Sequence, residues 1–483
     1  MKTVCIIGGG IGGLMTGALM TKEGYRVTIL EKNHTVGGGL QSFSRHGHLF
    51  DPCMHIFGGM QPGGNLRGIL EHLGIADTLK TTPYYDTIVY GDERITLPFG
   101  RKAWIEAVGQ GEHKQELNAY VDALYHLADT ENLFNLRPDT VEVEEAENIT
   151  AKELIERHIG DEHLRNRLTF IAHLYGGTTD SPALLHALTS VLHIDGVYAI
   201  VPSAQSLADL LCGIITSGGG EIHTDSPVTT IESDGKQVTS VVCNNERYCA
   251  DNYISAISIG ALLRIAPREA FSTAFRKRIE AAEQCCSAFC VYGILEHGTL
   301  EQQNAGYHIL RQGADPWNLA SVQPDRWPHN MFLMTQSDSG DQRYADTLTI
   351  VAPMDFNYVS SWVDSTHGHR PEGYRKWKTA MTEQAMQMAQ EVLGPLETTY
   401  IEAASPLTIR DYSGTTRGTC YGMHSSAQNL ATTTLVPRTR LANLFLTGQD
   451  VNFHGLVGTS LTAVLTAETI VGRNKIVNSI KSE

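Results

Sequence analysis

The chain has no CxxC pair and no cysteine–histidine grouping at zinc-ligand spacing; its nine cysteines are scattered from Cys5 to Cys420. That pattern argues against zinc ribbons and dithiol redox motifs. The thiols are expected to be mostly buried small hydrophobes in a reducing cytoplasm. Long apolar runs are also missing. No segment approaches the ~20 uninterrupted apolar residues of a spanning helix, so none is expected. The apolar stretch 3–20 lacks the charged leader and A-x-A site of a signal peptide. The expected location is therefore the cytoplasm, with peripheral membrane contact left compatible. Positive charge is scarce: 37 Lys and Arg stand against 53 Asp and Glu, a net of −16, and no basic stripe is present. A nucleic-acid backbone binder would need one. Internal repeats, low-complexity tracts, a P-loop, a G-x-S-x-G elbow, an H-E-x-x-H helix and an EF-hand loop are absent as well. His34, His46, His48, His55, His72, His113, His126 and His158 share no ligand spacing, so no metal site is expected.

What is present is an ordinary globular composition, 42% hydrophobic and 19% charged, in a chain of 483 residues. Single cores usually stop growing near ~250–300 residues, so two domains are the expectation.

The first thirty residues carry the strongest local pattern. Residues 2–7 (KTVCII) read as a short buried strand, followed at once by the glycine run 8–13. A helix is expected over about residues 14–23, ending at Gly24, and residues 26–30 (RVTIL) read as a second strand with Glu31 at its end. This is the βαβ setting in which G-x-G-x-x-G binds a dinucleotide. Gly8 makes the tight turn, Gly10 lets backbone approach the pyrophosphate, Gly12 belongs to the same cofactor-binding run, and Gly13 lets the following helix pack close to the sheet. The free N–H groups and positive dipole end at the helix start suit phosphate. Glu31 can accept both ribose hydroxyl protons, which favours an adenosine without a 2′-phosphate.

After Glu31, five residues lead to Gly37-Gly38, then Gly39, and further on to Phe50-Asp51-Pro52-Cys53-Met54-His55. Near the other end stands LFLTGQDVNFHGLVG, residues 444–458, with Gly448, Asp450 and a helix start around 455–458. Together these resemble the family of phytoene desaturases, carotenoid isomerases and retinol saturases within the wider flavin amine oxidases, nearest to the retinol saturase branch. The resemblance implies FAD in an extended pose. It implies cofactor contacts at Lys32, Gly38, Gly39, Leu40 and His55, at Val228 on the adenine side, and at Gly448, Asp450, Leu456 and Val457 toward the flavin. Two departures stand out: Gly39 replaces an arginine common in desaturases, and Cys53 replaces the glycine of F-D-x-G-x-H.

Between these pieces, residues 204–215 read as a helix, and short strands follow at 221–223, 228–232 and 238–243. Tyr198 and Pro202 match a Y-x-x-x-P pattern of the family. The stretch 411–422 resembles its P-x-G-x-x-Y-G segment, where Arg417 reads as structural. The expected class is α/β: a Rossmann-like FAD-binding domain, discontinuous over 1–65, 200–260 and 436–483, with an inserted α+β substrate domain. That second domain, a mixed sheet covered by helices, is expected over 66–199 and 261–435.

The resemblance implies saturation or desaturation of C=C/C–C bonds in a hydrophobic isoprenoid or polyene, with hydride passing through flavin N5. His55, His454 and Tyr421 are the candidates for moving the accompanying proton, the histidines because imidazole titrates near neutrality. With no separate nicotinamide fingerprint, electrons are expected from or to a quinone, oxygen or a reductase protein. An amine oxidase, a redox-neutral isomerase and a non-catalytic flavin or lipid carrier remain as alternatives.

Overall fold

The computed structural model describes residues 1–53, 55–320, 326–337 and 342–482. Its first sheet is parallel throughout and ordered Leu444–Leu446, Asn252–Ser255, Thr3–Ile7, Arg26–Leu30, Glu221–His223. Val4 pairs with Asn252 on one side and Val27 on the other. Strands covered on both faces must be apolar along their whole length, and Val4, Ile6, Val27, Ile29 and Ile254 are all buried.

The first helix spans Ile11–Lys22, three residues earlier than its apolar pattern suggests. Gly12 and Gly13 are poor helix formers, yet both lie inside the first turn. Packing explains them, since a Cβ on Gly13 would overlap the carbonyl oxygen of Gly8. This helix packs against Gln205–Ser217 and Gly455–Val471, so segments hundreds of residues apart share one core. A three-stranded antiparallel sheet, Val228–Ser233, Val238–Cys243 and Glu246–Tyr248, lies beside it.

The larger sheet has seven strands, in the order Thr398–Ala404, Ser287–Leu295, Thr347–Met354, Asn330–Gln336, Ala305–Leu310, Tyr85–Tyr90, Glu93–Thr96. Its neighbours run antiparallel except Ala305–Leu310 and Tyr85–Tyr90, which are parallel. Helix Glu372–Leu393 places Met381, Ala385, Met388 and Ala389 against Phe289, Val291, Leu333 and Ile350. The class is thus mixed α/β, with a parallel sheet drawn from 3–30, 221–255 and 444–446 and a mixed sheet from 85–96 and 287–404. Helices Ile259–Ile265 and Thr273–Ala281 share a core with Cys5, Ile7, Val241 and Leu444. Apolar packing on the parallel sheet therefore runs past residue 260, through Ile279 and Ala282, and takes in Met423 and Leu435. Among the described residues no helix is long and apolar enough to cross a membrane.

Phe289 is fully buried, with Trp327 and Trp377 edge-on to its ring at 5.5 and 5.9 Å. Phe289→Ala should cost about 3–5 kcal/mol of stability. A urea-unfolding curve checks this, and an unchanged midpoint would contradict the packing described.

Candidate active site

Three glycine turns from distant parts of the chain meet at the carboxyl ends of the parallel strands. Gly8 donates to Leu30 O at 2.9 Å, and Gly37 donates to Gly9 O at 2.7 Å. Gly38 has φ +56°, and a Cβ there would stand 2.9 Å from Gly10 Cα. A Cβ on Gly12 would stand equally close, 2.9 Å, to Gly448 Cα. Side chains are excluded from these contacts, so backbone meets backbone. Helix Ile11–Lys22 begins here, with Gly10 as its N-cap, no side-chain cap and no acid in its first turn. Its first N–H groups are left for a ligand, which suits a pyrophosphate.

Glu31 is buried, and both its oxygens are engaged: Oε2 accepts from Gly9 N at 2.7 Å and Oε1 from Asn33 N at 2.8 Å. Each carboxylate oxygen has a second lone pair, which leaves capacity for ribose hydroxyls. Gln205 Oε1 is buried without a partner, 3.4 Å from where a Cβ on Gly37 would lie. A glycine cradle clear of side chains, an uncapped helix start and an orphaned acceptor together fit an extended dinucleotide.

The other expected contacts lie on several separate elements. Leu40 is buried in the core beneath the turn. A side chain at Gly39 would meet Cys53 Cβ at 3.6 Å, so the two departures from the family pattern face each other. Val228 opens the antiparallel sheet, opposite Cys243. Lys32 donates to Asp411 O at 3.3 Å; burial first of all pulls its ammonium below the usual lysine range. Asp450 accepts from Ile259 N at 2.8 Å, and burial pushes its carboxyl up. Asp51 accepts from Ser42 Oγ at 2.5 Å and Ala204 N at 3.1 Å, which ties the segment before His55 to the start of helix Gln205–Ser217.

Beyond the turns lies a cavity of about 230 Å³. His55, Tyr421, His454, Leu456 and Val457 line it together with Phe57, Leu188, Leu192, Phe332 and Phe453. His454 is the N-cap of Gly455–Val471, so that helix directs its positive end at the cavity. The Tyr421 and His454 rings stand 5.2 Å apart, and His55 stacks on Phe332 at 5.9 Å. Among the described residues His55 and His454 have no counter-ion, and burial pushes each down to about 4. The near-neutral titration expected of free imidazole is thereby removed at both. Burial likewise holds Tyr421 well above the usual phenol range. Arg417 points elsewhere, to Asn357 Oδ1 at 2.8 Å.

His173, His193, Cys286 and Cys420 also line the cavity and were not legible in the sequence. His193 meets Asp86 at 2.7 Å, and Asp86 meets His308 at 2.7 Å, across 107 and 222 residues. No local spacing could announce a contact of that range.

Residues 11–296 match the family of flavin containing amine oxidoreductases. The chain belongs to that family. It is a flavoprotein oxidoreductase, and its cofactor is FAD. All-trans-retinol 13,14-reductase of Rattus norvegicus is 24% identical over 523 residues, covering 97% of this chain and 85% of that protein. Phytoene desaturase of Fusarium fujikuroi is 25% identical over 408 residues, 77% of this chain and 64% of that protein. The fold is shared with cyclohexylamine oxidase from Brevibacterium oxydans, at a TM-score of 0.61 and 16% identity over 99% of both chains.

Gly38→Ala places a Cβ against Gly10 in a left-handed conformation. FAD affinity should fall at least about tenfold, or ~1.4 kcal/mol, read from the flavin-to-protein absorbance ratio after dialysis; full retention would contradict the packing. His454 tests the electrostatics. Its ring stays neutral in the fold down to about pH 4 but protonates in the unfolded chain below ~6.5, so acid favours unfolding in that window. Relative to His454→Gln, the wild type should lose stability as pH falls from 6.5 toward 4. A constant difference across that range would show the ring to be solvated or paired.

Proposed function

We propose that this flavoprotein saturates or desaturates a C=C/C–C bond in a long apolar substrate of the isoprenoid or polyene class. The observation that carries the reading is the lining of the cavity. Among the described residues it holds no carboxylate, lysine or arginine, only apolar side chains, small polar groups and histidines. A cationic amine entering it would lose its hydration with no acid to replace it. A polyene would exchange water for apolar contact along its whole length. The names of the retinol reductase and phytoene desaturase relatives support the same substrate class.

In this reading Gly8, Gly10, Gly12, Gly13, Gly38 and Gly39 cradle the pyrophosphate, and Glu31 holds the adenosine ribose. Val228 borders the adenine, Gly448 and Asp450 the ribityl chain, and the amides at Leu456 and Val457 the flavin pyrimidine edge. Bound FAD supplies two-electron hydride chemistry at N5. The helix start at Gly455 favours negative charge at the flavin edge. His55, His454 and Tyr421 orient the substrate as neutral hydrogen-bonding groups, and the apolar wall keeps water out. The parallel-sheet portion forms the FAD-binding domain and the seven-stranded sheet with its helices the substrate domain. A quinone, oxygen or a reductase protein exchanges electrons with the flavin. Peripheral membrane contact would deliver the substrate.

Anaerobic mixing of the holoprotein, oxidised or dithionite-reduced, with retinol, phytoene or a primary amine tests this. A polyene should change the flavin spectrum and yield a product differing by two hydrogens. A product of unchanged mass would make the protein an isomerase. Bleaching by the amine alone would overturn the reading.

A further inference from the structure

We propose that His193, oriented by Asp86, gives the substrate its proton during saturation and takes it back during desaturation. This inference rests on the function proposed above and deepens it.

Hydride transfer to one carbon of a C=C bond leaves the other carbon to be protonated. Two other cavity histidines, His55 and His454, have no acid beside them among the described residues to hold a proton. His193 does. Its Nδ1 lies 2.7 Å from Asp86 Oδ2, which leaves Nε2 as the ring's other proton-bearing atom, and the ring stands in the cavity wall. Asp86 comes from strand Tyr85–Tyr90 and is 2% exposed. Its second oxygen meets His308 Nε2 at 2.7 Å, so the carboxylate cannot swing away. Burial alone would push the Asp86 carboxyl up, but the two imidazoles hold it below the usual carboxylate range.

A buried carboxylate left unneutralised is costly, and one proton among its partners removes the net charge. Burial pulls His308 down, and pulls His173 down well below the ordinary imidazole range. His193, unlike His308, lines the main cavity, so a proton held there neutralises Asp86 within reach of the substrate. The other groups facing the cluster are accounted for. His173 Nε2 lies 3.4 Å from His308 Nδ1, and Arg167 behind them is paired with Glu93 at 2.7 Å. Asp195, two residues along the helix, accepts from Tyr125. A small cavity of about 10 Å³ behind His308 carries Asn166, Thr169 and Asn330, whose amide nitrogen and oxygen both lack partners. Polar groups thus continue from Asp86 away from the main cavity.

Asp86, His193 and His308 also offer three ligand atoms within 4.8 Å of one another. The 2.7 Å contacts set nitrogen directly against oxygen. A metal bound at ~2.0–2.2 Å from each would hold them farther apart, so the hydrogen-bonded arrangement is preferred.

The balance is simple. One alkene carbon receives a hydride with its two electrons, drawn from the reduced cofactor. The other receives the proton as the N–H bond of His193 breaks and a C–H bond forms. Neutral His193 then recovers a proton from solvent. Asp86 is a positioning residue: it fixes the tautomer and stabilises the imidazolium.

The test uses dithionite-reduced holoprotein, wild type, His193→Gln and Asp86→Asn, with retinol and phytoene as probes. Flavin reoxidation is followed against pH, beside ¹⁵N-histidine spectra and metal analysis. His193→Gln should retain FAD but slow reoxidation at least about 100-fold and lose the pH limb. Asp86→Asn should retain FAD, slow reoxidation and change the His193 tautomer seen in the ¹⁵N spectra, because the Nδ1 contact with the carboxylate is lost. A wild-type rate and pH profile in His193→Gln, an unchanged His193 tautomer in Asp86→Asn, or one equivalent of bound metal would each overturn the proposal. If neither probe reoxidises wild-type flavin, the substrate reading fails, and the ¹⁵N spectra alone decide whether Asp86 orients His193.

Discussion

The architecture depends on one constraint, the contact of backbone with backbone where the turns at Gly10, Gly12, Gly38 and Gly448 converge. Those turns belong to stretches more than 400 positions apart. They meet with no side chain between them because any Cβ at Gly12 or Gly38 would press on an opposing Cα. The parallel sheet assembles behind this junction from three stretches of chain. The cavity opens in front of it, between the helix start at Gly455 and the seven-stranded sheet. Cofactor site and substrate space are thus consequences of one close approach.

A second theme is the division of labour among buried histidines. His55 and His454 sit in the cavity wall with no acid beside them, and desolvation keeps them neutral. His186 is likewise enclosed, but between the hydroxyls of Tyr120 and Tyr175 at 2.6 and 2.8 Å, an arrangement that serves packing. His193 and His308 share a carboxylate. The same residue type therefore supplies neutral polarity, structural bridging and stored charge according to what stands next to it.

Much of the cofactor half was legible in the sequence, because its signals are local. Strand, glycine run, helix, strand and acid follow in register within residues 3–31, and strands at 221–223, 228–233 and 238–243 fell close to where alternation placed them. The apolar pattern places the helix start at Leu14 and the fold places it at Ile11, since Gly12 and Gly13 disfavour a helix locally and only the opposing Gly8 carbonyl and Gly448 require them there. The substrate half was legible as elements and not as a site. Residues 287–295 form a buried strand and 372–393 a helix, yet nothing in their local pattern announces which faces enclose a cavity. The Asp86–His193–His308 cluster was invisible for the same reason: strand, helix and strand from separate segments bring it together only after folding.

A crystal structure of the holoprotein with a bound polyene tests the central claim most directly. The diphosphate should lie within hydrogen-bonding distance of the amides at the start of helix Ile11–Lys22. The flavin ring should border Leu456 and Val457, with the polyene along the apolar wall and one of its carbons facing His193. A diphosphate bound away from the glycine junction, or a cavity filled by the flavin with no room for a chain, would contradict the account.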